Sequence, residues 1–151
     1  METRQLEDGC RLYIDGTSEL HARELGRGVL VHSSLGPAPG VFAKVVIDDG
    51  ERMLKTFGRC VFMVDAFESK RMSTEFREQM TKWLTANRDR VRVHILLDSK
   101  LMEMAINVAN LVIGTVTARA YSDVAAWEKA GASEHPGFRR RAIAWSATNP
   151  R

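Results

Sequence analysis

Two aspartates, Asp65 and Asp98, close the apolar runs CVFMVDA (residues 60 to 66) and VRVHILLD (residues 91 to 98). If these runs are strands of an α/β sheet, both carboxylates fall at strand carboxyl ends, the edge where open sheets build their sites. With Ser99 they form the best enzyme case in the chain. No base or metal partner accompanies them, and Phe67 stands two residues after Asp65, where a phosphoaspartate hydrolase needs a second aspartate. We therefore assign no catalytic residue and expect a non-enzyme.

A second chemistry belongs to Ser73 and Thr74, which open the helical-looking stretch STEFREQMTKWL. A hydroxyl there caps a helix by accepting a hydrogen bond from an orphan N–H. The same hydroxyl is a candidate phosphosite: the helix dipole favours a phosphate, and Glu75 and Glu78 repel it. Cap and phosphosite both stay open.

Other chemistries find little support. Cys10 and Cys60 lack any CxxC spacing, and His21, His32, His94 and His135 lack metal-ligand spacing, so no metal site is expected. The serine elbow GxSxG, the phosphate loop GxxxxGK and the dinucleotide motif GxGxxG do not occur, and no cofactor is expected. METRQLEDG is not a secretory signal, and no apolar run reaches the roughly 20 residues of a membrane span, so the reading is a cytoplasmic protein.

The 151 residues suit one domain, with 44% hydrophobic and 27% charged residues. The net charge of +3 comes from the end of the chain, where Arg139, Arg140, Arg141 and Arg151 face only Glu134; 18 basic and 18 acidic residues precede Gly131. A neutral body gives composition no support for a nucleic-acid-binding face. The motif FRRRAIAW (residues 138 to 145) joins Arg139, Arg140 and Arg141 to Trp145. It reads either as a contact for an acidic protein, an anionic membrane or nucleic acid, or as a solvated end with Trp145 loosely on the body.

Strands are expected at RLYI (residues 11 to 14), GVLVHSS (residues 28 to 34), CVFMVDA, VRVHILL and TVTARAY (residues 115 to 121). The polar segment of residues 15 to 27 reads as a loop or short helical turn. Residues 41 to 57 are ambiguous: Asp49-Gly50 signals a hairpin, whereas Phe42, Val46, Met53 and Phe57 share one helical face ahead of Gly58, and we favour the helix. Further helices start at Ser73 (stripe Phe76, Met80, Trp83, Leu84), at Ser99 (stripe Leu101, Met104, Ala105, Val108, Leu111) and at Ser122 (Val124 and Trp127 inside, ending at Gly131). The order β-β-α-β-α-β-α-β-α predicts a single open, mostly parallel sheet with helices packed on it. Residues 1 to 130 form this domain, and residues 131 to 151 are expected to be a basic, mobile tail.

In CVFMVDA, the helix from Ser73, VRVHILLDSKLMEMAINVA and TARAYSDVAAWEKA, the chain resembles the STAS domain of bacterial anti-sigma-factor antagonists, and especially STAS/SEC14-like relatives, from about Arg11 to Ala130. The resemblance implies a signalling module that binds another protein and is switched by phosphorylating a serine or threonine eight or nine residues after a strand-end aspartate. Ser73 and Thr74 stand at those offsets from Asp65, with STEF in place of the family's glycine-containing turn. The surface implied is the outer side of the Ser73 helix and the loop before it: Asp65, Glu68, Lys70, Arg71, Arg77 and Lys82. The partner is another protein, a second copy of the chain being one option. The alternative is a small-ligand or lipid carrier with a pocket lined by Met72, Met80, Met102 and Met104, which otherwise serve as core filler.

Overall fold

The computed structural model describes residues 1–69, 71–113 and 118–146, and for residues 105 and 108–113 the backbone alone. Among the described residues seven strands form one sheet in chain order: β1 (Glu2–Gln5), β2 (Arg11–Asp15), β3 (Ser18–Gly26), β4 (Val29–Leu35), β5 (Cys60–Glu68), β6 (Val91–Leu96) and β7 (Ala118–Tyr121). Among the described residues the helices are α1 (Gly40–Phe57), α2 (Thr74–Ala86), α3 (Lys100–Ile113) and α4 (Val124–Glu134). β1 to β4 pair antiparallel and β4 to β7 parallel, so the sheet is mixed rather than mostly parallel. The difference arises at residues 15 to 27, expected to be a loop, where β3 lies. Its sequence SELHARELG looks solvated, yet Ser18, Glu19, Leu20, His21 and Ala22 are all buried. Glu19 and His21 satisfy each other at 3.2 Å, so polar residues occupy a buried strand without stranding their charges.

Strand alternation divides the core in two. Leu30 of β4 with Cys60 and Phe62 of β5 face α1 and α2, where Phe42, Val46, Met53 and Trp83 meet them. Val29, Val31, Val61 and Met63 face the other way and pack with Trp127 of α4 and Phe138 beyond it. A strand buried on both faces needs an unbroken apolar run, as residues 60 to 64 supply.

The α1 helix forms as expected, with Gly58 as its left-handed cap (φ 71°), its N–H donating to the Leu54 carbonyl. Asp49-Gly50 therefore serves packing rather than a turn: a Cβ on Gly50 would lie 2.3 Å from the Trp83 ring, so glycine lets α2 approach α1. Phe57, expected on the inner stripe, is 46% exposed, because its place at the last residue of α1 carries it past the sheet.

Helix α3 departs further from its expected stripe. Ser99 caps it, accepting from the Met102 N–H at 3.2 Å, but Leu101 is 76% exposed and Met104 is exposed too. The side chains of Ala105, Val108 and Leu111 lie outside the described residues, as do residues 115 to 117 of the strand expected at TVTARAY. Among the described residues, α3 meets the sheet through a polar pairing. The Asn107 Nδ2 donates to the Ala120 carbonyl at 3.1 Å and the Ala120 N–H donates to Asn107 Oδ1 at 2.9 Å, pairing the edge strand β7 as a neighbouring strand would.

The chain end is placed differently from expectation. Asp123, not Ser122, caps α4, accepting from the Ala125 N–H at 3.2 Å, while Ser122 donates to Glu103. The helix continues past Gly131 to Glu134, and Gly131 is buried because the Phe138 ring packs where its side chain would be, 2.1 Å from a built Cβ. Residues 138–146, expected to belong to a mobile tail, lie as a strap across the sheet face that α4 leaves uncovered. Phe138 is 3% exposed and meets the Trp127 ring edge-on at 5.1 Å. The basic composition suggested a solvated end, but Arg140 and Arg141 find carboxylates on the body.

Candidate functional site

The parallel half of the sheet directs the N-termini of all four helices to its carboxyl edge. Here the loop after β5 and the loop before α1 zip together: Ala38 N–H donates to the Arg71 carbonyl and Ser73 N–H to the Ala38 carbonyl, both at 2.9 Å, and Ser69 Oγ donates to the Gly36 carbonyl at 2.9 Å. Ser73 then starts α2 with extended backbone (φ −64°, ψ 155°), and its Oγ accepts from the Phe76 N–H at 3.0 Å. The hydroxyl is thus a working cap, half-buried, while Thr74 beside it is exposed. Glu75 folds against Gly40, its carboxyl 2.3 Å from where a Cβ would stand, and so brings negative charge to the start of α1. Ser73→Ala removes the cap and is expected to lower stability by about 1 kcal/mol, read by urea denaturation, while Ser73→Asp keeps an acceptor and most of the stability.

The residues expected to form an interaction surface separate into two groups. Glu68, Arg71, Arg77 and Lys82 are exposed along this edge and the outer side of α2, with Met72 at 48% and, at the start of α1, Val41 at 45%. Lys70 lies outside the described residues. Asp65 does not belong with them. It is 6% exposed and points to the α4 face, where Arg140 of the strap clamps it, Nε to Oδ2 at 2.6 Å and the second guanidinium nitrogen to Oδ1 at 3.3 Å. The Phe67 N–H donates to the same Oδ1 at 3.2 Å, and the Arg140 guanidinium stacks 5.0 Å above the Phe67 ring. The carboxylate holds its arginine charged, raising it above the ordinary arginine range. A carboxylate held by two arginine nitrogens and an amide N–H is a structural anchor with little freedom for proton transfer. Asp98 is exposed at the β6–α3 turn.

The other tail residues also meet the body. Arg141 pairs with Asp8 at 2.9 Å, Trp145 stands edge-on to His21 with ring centroids 5.0 Å apart, and Ser146 Oγ donates to Glu19 at 2.7 Å. Arg139 is exposed and donates to the Phe138 carbonyl at 3.2 Å. Of the methionines expected to line a pocket, Met72, Met102 and Met104 are exposed and Met80 packs into the α1–α2 core.

The sequence reading missed a buried polar cluster under α1. Asp49 accepts from His32 Nε2 at 3.0 Å, Arg11 at 2.8 Å and Arg52 at 2.6 Å, with Glu24 beside both arginines. Burial pushes the Asp49 carboxyl up, but His32 and Arg11 outweigh it and hold it at about 2. The available signal was Asp49 itself, an acid on the apolar side of α1, one helical turn before Met53.

Among the described residues, no group of three His, Cys, Asp or Glu side chains could hold a metal ion, and no helix is long and apolar enough to cross a membrane. The mixed sheet, three helices crossing between parallel strands and a fourth closing the other face define a STAS-like, that is SpoIIAA-like, α/β fold. Neither a family model nor a curated protein matches the sequence. Solved structures match the fold. An uncharacterised protein of the DUF3478 family with a SpoIIAA-like fold, from Shewanella loihica PV-4, aligns with a TM-score of 0.53 and 19% identity over 78% of this chain and 91% of that one. The anti-sigma factor antagonist SpoIIAA in its unphosphorylated form aligns with a TM-score of 0.53 and 10% identity over 78% and 98%. At these identities the likeness is one of fold.

Proposed function

We propose that this chain is a non-catalytic regulatory or scaffolding module of the cytoplasm that binds another protein through the carboxyl edge of its sheet, controlled by phosphorylation at Ser73 or Thr74. One observation carries this reading: exposed apolar side chains, Met72 and Val41, flank the hydroxyl pair on an edge ringed by Glu68, Arg71 and Arg77. An apolar centre with a charged rim is how protein contacts are built. A phosphate on either hydroxyl would add up to two negative charges beside Glu75 and alter what that edge attracts. The fold shared with a protein named as an anti-sigma factor antagonist supports a regulatory role, and the clamped state of Asp65 supports binding over catalysis. The partner is identified by affinity capture with the full chain, followed by the same capture with Met72→Asp and Ser73→Asp. Loss of one protein from both variants, with their folding intact, is the expected result. A partner retained by both would refute this surface.

A further inference from the structure

Between the strap and the sheet lies a cavity of about 270 Å³ on the face away from α1 and α2. That is just below the roughly 300–1,000 Å³ of drug-sized small-molecule sites and suits a ligand of a few carbons. Strand alternation sends Arg23, Ser33 and Asp65 into it, and residues 139–144 form its roof. Its charges are unevenly matched. Asp65 is taken by Arg140 and Asp8 by Arg141, while His21 is held by Glu19 and Trp145. The Cys10 thiol, pushed up by burial, adds no negative charge. Arg23 and Ser33 remain: among the described residues neither side chain has a hydrogen-bond or ion-pair partner, although Ser33 is 6% exposed. Burial, and then the neighbouring Arg141, lower the Arg23 guanidinium below its ordinary range, against a smaller opposing pull from Asp8, which Arg141 already pairs. The remaining wall is apolar, from Leu6, Val31, Trp127 and Ile143.

We propose that this cavity binds a small carboxylate with a short apolar body, its oxygens accepting from the Arg23 guanidinium and the Ser33 hydroxyl and its body lying on Val31 and Trp127. An arginine fork matches a carboxylate in two parallel hydrogen bonds, and the oxygens supply a partner for Arg23, a lining arginine that no carboxylate of the described residues pairs. The position of Arg140 gives the site a second property. Its pairing with Asp65 fastens the strap that roofs the cavity at the cavity's edge. The site is independent of the partner surface proposed above, which lies at the carboxyl edge beside α1 and α2.

The test is amide-correlation NMR of the full chain titrated with hexanoate, with hexanol and inorganic phosphate as companions. Hexanoate is expected to give saturable shifts centred on residues 23, 33 and 139 to 144. Arg23→Gln is expected to weaken it by about 10-fold or more, the cost of one charged hydrogen-bonding partner. Arg23→Lys should recover part of that loss, and spectra unchanged outside the cavity show that each variant is folded. Ser33→Ala repeats the comparison at a smaller residue. Absence of saturable shifts, equal binding of hexanol, or hexanoate binding undiminished in both Arg23→Gln and Ser33→Ala would overturn the site. Phosphate perturbing these amides while hexanoate does not would overturn the apolar body of the ligand.

Discussion

Asp49→Ala is expected to destabilise the domain by about 3–5 kcal/mol, the cost of removing one partner from a buried charge cluster. Asp49 is 2% exposed, and its two oxygens neutralise Arg11 and Arg52 and hold the ring of His32, itself 2% exposed. Without it two guanidinium groups confront one another under α1, and Glu24 alone, at the surface, cannot answer both. Asp49→Asn keeps the shape and removes the charge, which separates packing from electrostatics. The same carboxylate gives the fold an acid limit. Because its folded pKa is depressed from 3.8 to about 2, its contribution is complete above pH 4 and is lost as pH falls through 2. The shift corresponds to about 2 kcal/mol. Urea denaturation between pH 5 and pH 2 should therefore show a steeper loss in the parent than in Asp49→Asn. Equal midpoints for parent and Asp49→Asn at pH 5 would show that the cluster contributes nothing.

Asp49 also marks the limit of what the sequence made legible. The apolar positions Phe42, Val46 and Met53 specified a helix, and the runs ending at Asp65 and Asp98 specified strands, because burial on one or two faces leaves a period in the chain. Asp49-Gly50 obeyed a tertiary demand instead: one residue answers His32 on β4, the other makes room for Trp83 on α2. Neither demand has a sequence period. Strand β3 was hidden for a related reason, since Glu19 and His21 satisfy each other and so pass inside a strand while reading as surface. In α3 the expected stripe fails at its first two positions, Leu101 and Met104, which are exposed, and the contact with the β7 edge that Asn107 makes is polar and has no sequence period. At the candidate site, Ser73 was legible as a cap because capping is local, the donor Phe76 N–H standing three positions after the acceptor Ser73. Asp65 was legible as a strand-end carboxylate, but its partner Arg140 lies 75 positions away, and no local pattern couples them.

Arg140→Ala is the substitution that most directly tests how the strap is held. It leaves Asp65, 7% exposed at its side chain, with the Phe67 N–H as its one hydrogen-bond partner among the described residues, and it removes the stacking on Phe67. Water reaches the arginine, whose side chain is 29% exposed, so the expected loss is about 2–3 kcal/mol, below the range for a wholly buried pair. Asp65→Asn on its own should also destabilise, since an amide cannot return the two-pronged contact. The double variant should lose less than the sum, with a coupling of about 1–2 kcal/mol between residues in direct contact. Hydrogen–deuterium exchange supplies the readout specific to the strap: amides of residues 138 to 146 should exchange faster in Arg140→Ala while those of β4 and β5 keep their protection. Gly131 and Phe138 make the alternative explicit, because they would still hold the start of the strap, so exchange should rise most beyond residue 140. If Arg140→Ala shifted stability by less than about 0.5 kcal/mol, as a surface substitution does, the basic segment would be the free tail that its composition suggests.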